Sequence, residues 1–79
     1  MSTAEDIREK LLIFGLTPRQ QEVAILAMRG LSNREIAGKL FVTEQTVKDH
    51  LHDIFRKARV HRRSEFTAKV LETFFQATI

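Results

Sequence analysis

Apolar residues recur along this chain at intervals of three and four, and no run shows the strict alternation of a strand. From Ser2 to Phe14 the stripe is Ile7, Leu11 and Phe14. Ser2 is placed to cap this helix with Glu5 as its capping-box partner, and Gly15 can take the left-handed C-terminal conformation. Thr17-Pro18-Arg19-Gln20 opens a second helix: Thr17 caps, Pro18 takes the first position where no amide donor is needed, and Gln20 completes the box. Val23, Leu26 and Ala27 line one face, and Gly30 ends it after Arg29, a cation suited to a helix C-terminus. Ser32 with Glu35 starts a third helix that turns Ile36, Ala37 and Leu40 inward. Gly38 lies inside it. Either it permits close approach of a neighbouring helix, or it is tolerated at about 1 kcal/mol relative to alanine.

Phe41-Val42 forms a tight turn, after which Thr43 caps a fourth helix running to about Arg56 or Ala58. Its stripe is broad: Val47, Leu51, Ile54, Phe55 and Ala58. A loop at 59–62 leads to a last helix from Arg63 to about Ala77, with Phe66, Val70, Leu71, Phe74 and Phe75. The expectation is an all-α, small helical bundle, with residues 1–15 an N-terminal helix and 16–79 the remainder of one compact domain. The starts at Ser32 and Thr43 stand eleven residues apart. That spacing holds a helix of about eight residues and a turn of three or four, the plan of a helix-turn-helix whose second helix enters a major groove.

Composition narrows the picture. With 79 residues and no cysteine, disulfides and thiolate metal sites are excluded, which leaves oligomerisation as the extra source of stability. The longest unbroken apolar run, Val23 to Met28, is far short of the roughly 20 residues of a membrane span. The polar, acid-rich start is unlike a secretory signal, so the expected location is cytoplasmic. The formal net charge of +3 is unevenly spread: residues 29–63 hold nine basic and four acidic side chains, while both flanks are net −1. A basic middle suits a polyanion-binding face.

At 100° per residue, the side of the fourth helix opposite its stripe carries Gln45, Lys48, Asp49, His52 and Arg56. Lys48 can donate to guanine or phosphate, Gln45 can pair with adenine, and His52 can donate to either. Free amides near Thr43 and Glu44 can hold a backbone phosphate. Asp49 is discordant. It repels phosphate, and it either accepts from cytosine and restricts sequence choice, or pairs with Arg56 or residues near Lys48 and does nothing specific.

These residues resemble the LuxR/GerE-type helix-turn-helix domain of bacterial transcriptional regulators. The likeness runs from Leu16 to about Phe66: Leu-Thr-Pro-Arg-x-x-Glu-Val at 16–23, Gly-Leu-Ser-Asn-Arg-Glu-Ile-Ala at 30–37 and Thr-Val-Lys-x-His at 46–50, then Ile54, Arg56-Lys57, Val60, Arg63 and Glu65. The resemblance implies a domain of four helices over residues 16–79, to which the N-terminal helix is an addition. It implies a recognition helix at about 43–58, binding to double-stranded DNA at repeated half-sites, a homodimer through the last helix, and contact with RNA polymerase. By position, Lys48, Asp49 and His52 read DNA, while Thr43, Thr46, Arg56, Lys57 and Arg63 suit phosphate contacts. Glu22 matches a buried structural glutamate and His50 a hydrogen-bonded boundary residue. Arg59 replaces a usual loop glycine, so either it is strained at positive φ or the loop differs. Arg62 replaces a frequent asparagine cap.

A metal or catalytic role is not supported. His50 and His52 point about 200° apart on a helix and cannot share one ion, and His61 lies in a basic loop. No HExxH, phosphate-cradling glycine loop or nucleophile–base pattern occurs. No cofactor and no enzymatic activity are expected. Val70, Leu71, Phe74 and Phe75 form adjoining apolar stripes that a small core has trouble hiding, which suggests self-association. The alternative function is a helix-turn-helix-shaped interaction module that docks on another regulator or on RNA polymerase.

Overall fold

Among the described residues, the second, third and fourth helices end in the same way, and one of the three ends on glycine. The computed structural model describes residues 4–77, and the side-chain surroundings of residues 7–73. They form α1 (Ala4–Leu12), α2 (Pro18–Met28), α3 (Asn33–Leu40), α4 (Glu44–Ala58) and α5 (Arg63–Ala77), with no strand among the described residues. After α2, the Leu31 amide donates to Leu26 O at 3.2 Å, with Gly30 at φ 91°. After α3, Val42 donates to Ala37 O at 3.1 Å, with Phe41 at φ 57°. After α4, Val60 donates to Phe55 O at 2.9 Å, with Arg59 at φ 59°. Each is a Schellman-type ending in which a left-handed residue lets the next amide reach back to a carbonyl of the last turn. A side chain in that conformation costs about 1 kcal/mol, so Phe41 and Arg59 hold these places against local preference. Of the two outcomes open for Arg59, the strained one is observed.

The starts follow the sequence reading. Thr17 and Gln20, and Ser32 and Glu35, close both arms of their capping boxes at 2.9–3.1 Å. The Ser32 amide, and after it the Ser32 hydroxyl, hold the Glu35 carboxyl below the usual carboxylate range. Thr43 caps α4 by accepting from the Thr46 amide at 3.1 Å. The proposed Ser2 cap of α1 lies outside the described residues.

The core is built around α2, which packs on all four other helices. That central place buries more of α2 than one face: Gln20, Gln21, Ala24 and Ile25 are enclosed along with Val23 and Ala27. Gln21 satisfies its amide by donating to Leu16 O at 3.1 Å, so its burial costs little. Leu11, Ile36, Val47, Leu51, Ile54, Phe66 and Val70 supply the larger buried side chains around it. The Phe66 ring lies between those of Phe14 and Phe55, with centroids 6.0 and 5.9 Å away. Gly38 has no close neighbour: a Cβ built there meets nothing within 4 Å, so it is tolerated and permits no close approach.

Candidate nucleic-acid interface

α4 buries Val47, Leu51, Ile54 and Ala58 and leaves the opposite side free. There Gln45, Lys48, Asp49, His52 and Arg56 are all exposed, as their spacing predicted. α3 and the three residues 41–43 hold the N-terminal end of this helix, while α2 and α5 pack on it as well. Arg19 reinforces the turn: one guanidinium nitrogen donates to Leu40 O at 3.1 Å and the other pairs with Glu22 at 2.8 Å. Glu22 is therefore not buried; its side chain is 39% exposed. The chain places it on the outer side of α2, where it aims Arg19 at the end of α3.

On the exposed side, Asp49 accepts from the Gln45 amide at 3.0 Å, one turn back, and so takes neither Arg56 nor a neighbour of Lys48 as partner. Arg56 stands 3.6 Å from Asp53, both well exposed, a spacing and setting in which an ion pair contributes little. Lys48 has no hydrogen-bond or ion-pair partner among the described residues and is the free cation at the helix's N-terminal half. Thr43 and Thr46 share a hydroxyl bond of 2.9 Å at the helix start. His50 is half-buried as its boundary position suggests, but has no hydrogen bond among the described residues.

Two of the suggested phosphate contacts face inward instead. The Lys57 ammonium donates to Gln20 Oε1 at 2.8 Å and to Gly15 O at 3.1 Å, tying α4 to the start of α2. Arg63 donates to Leu31 O and, at 2.7 Å, to Asn33 Oδ1, tying the start of α5 to the start of α3. Their positive ends are occupied by the chain's own oxygens. Lys69, which carried no role in the sequence reading, caps α4 by donating to Ala58 O at 2.6 Å.

Of the apolar residues proposed for self-association on α5, one belongs to the core. Val70 is fully buried and belongs to the core, because it lies on the same side as Phe66, one turn away. Leu71 is 48% exposed, and the side chains of Phe74 and Phe75 lie outside the described residues. Among the described residues no three histidine or acidic side chains gather as metal ligands, and no helix is long and apolar enough to cross a membrane.

A short capped helix, a three-residue turn and a long helix with one polar exposed side define a helix-turn-helix. Residues 15–70 match the family described as bacterial regulatory proteins, luxR family (GerE), and the chain belongs to that family. It is 42% identical over 57 residues to the nitrate/nitrite response regulator protein homolog of Haemophilus influenzae, covering 72% of this chain and 27% of that protein. Identity to the CsgBAC operon transcriptional regulatory protein of Escherichia coli is 44% over 50 residues, covering 63% and 23%. Identity to the spore germination protein GerE of Bacillus subtilis is 36% over 56 residues, covering 71% and 76%. The chain thus spans about a quarter of the first two relatives and about three-quarters of GerE. No solved structure matches it significantly. The family is one of DNA-binding regulators and not of enzymes.

Proposed function

We propose that the chain reads DNA sequence with α4 in the major groove, as a dimer on repeated half-sites, and so regulates transcription. The observation that carries this reading is Lys48, unengaged and exposed on a helix held rigidly from its other side by α2, α3 and α5. In this arrangement Lys48, His52 and the Gln45–Asp49 pair meet base edges, while Thr43, Thr46 and Arg56 meet phosphates. The regulator would act where the chromosome lies, in the cytoplasm. Its dimer face is the exposed row Ser64, Ala68 and Leu71 on α5, whose small residues leave a shallow groove beside Leu71.

Selection from a random-site DNA pool, followed by anisotropy at several salt concentrations, tests the reading. An enriched repeated half-site is expected, with affinity falling linearly in log–log salt and with Lys48→Ala weakening binding about 5- to 100-fold, the worth of one good base contact. Unchanged affinity in that variant would remove α4 from the reading role. A second reading, a module docking on another regulator or on RNA polymerase, is favoured by Phe41, a residue 93% exposed in the turn. No enriched site and no salt dependence would favour it.

A further inference from the structure

At the C-terminal end of α4, His52, Phe55, Arg56, Arg59, Val60 and His61 line an open groove. Half-buried Phe55 and buried Val60 make an apolar floor, and the four exposed nitrogen-bearing side chains stand around it. Guanidinium and imidazole donors over such a floor match the oxygens of a phosphate, which they can hold by charge-assisted bonds. A helix C-terminus normally disfavours an anion, but here three of its last four carbonyls are already taken by donors of the chain. Phe55 O accepts from Val60, Arg56 O from the Arg59 amide at 3.2 Å, and Ala58 O from the Lys69 ammonium.

Arg59 supplies a second, independent observation. It keeps the left-handed conformation in which glycine is cheapest, yet its side chain makes no hydrogen bond or ion pair among the described residues. Strain held at an unpartnered charged residue points to use outside the fold. His52 and His61 are likewise unpartnered among the described residues, and Arg56 has only its loose contact with Asp53. The groove continues the row Lys48, His52, Arg56, which are one turn apart along α4. With 15 residues, α4 is about 22 Å long, whereas the major groove is about 12 Å wide. A helix of this length that reads bases with its N-terminal half and crosses the groove at an angle brings its other end to a phosphate strand.

We propose that this groove binds one phosphate, supplied by the DNA backbone beyond the bases that Lys48 reads, with Arg59 and His61 as its principal ligands and Arg56 and His52 at its edge. This rests on the DNA-reading role above.

The test compares the parent chain with Arg59→Gly and His61→Ala, using the enriched duplex and a random-sequence duplex. Glycine relieves the backbone at position 59, so Arg59→Gly should melt at or above the parent temperature. It should nevertheless bind both duplexes more weakly, with a salt slope shallower by about 0.9, the signature of one lost phosphate, and an unchanged half-site preference. His61→Ala should shift affinity in the same direction. An unchanged salt slope in both variants overturns the proposal. Inorganic phosphate titrated against the free protein, read by the ring proton signals of His52 and His61, separates the sources. If the parent binds no DNA, the DNA-reading role fails and the backbone source with it. Saturable phosphate shifts lost in Arg59→Gly would then move the site to a free phosphate, and flat titrations would overturn the groove as an anion site.

Discussion

At the scale of single residues, two of the places where this chain ends its helices carry strain, while an open glycine inside a helix carries none. Phe41 and Arg59 sit in the left-handed region where a side chain is costly. Gly38 sits in ordinary helical backbone with open space around it. Replacing Gly38 by alanine should therefore raise stability by about 1 kcal/mol, seen as a higher urea midpoint with an unchanged slope. No gain would mean that α3 is not fully helical in solution. Phe41 was legible only as a turn residue, because nothing local marks phenylalanine as left-handed. A signal was nevertheless present: the residue after each such position, Leu31, Val42 or Val60, is apolar, as the Schellman ending favours.

At the scale of the helices, starts and stripes were legible and the links between helices were not. Capping boxes close over three residues, so Thr17–Gln20 and Ser32–Glu35 could be read directly from spacing. The Lys57–Gly15 and Arg63–Asn33 tethers join positions 42 and 30 residues apart, and no local pattern distinguishes them from solvated cations. Burial of Gln21 and exposure of Glu22 follow from the central position of α2, which periodicity alone does not locate. The Ser32–Glu35 box carries a consequence for pH. Since the folded Glu35 carboxyl titrates below its unfolded counterpart, the box contributes its stability above the ordinary carboxylate range. That contribution falls away as pH drops through the lowered folded value. Glu35→Gln, which retains an acceptor but no charge, should flatten the acid limb of the thermal melting profile between about pH 3 and 5. An identical limb in both proteins would show that the box does not form in solution.

For the whole molecule, the assembly reading rests on what α5 leaves uncovered. With Val70 in the core, Leu71 flanked by Ala68 and Ser64 is the part of the proposed dimer face among the described residues. Leu71→Glu should leave helicity intact and shift the chain from dimer to monomer in sedimentation equilibrium, because two carboxylates would meet across a twofold contact. A dimer that survives this change would have its interface elsewhere, and a monomeric parent would end the reading.

Among the described residues α1 packs on α2 and α5, and all of it precedes the stretch matched by the family. If α1 lifts away and takes Phe14 with it, Phe66 loses one of its two ring neighbours, yet every contact among α2, α3 and α4 remains. The packing of α1 and the packing that sets α4 are therefore separable: losing the first bares part of the core at Phe66 and removes no contact that aims the reading helix.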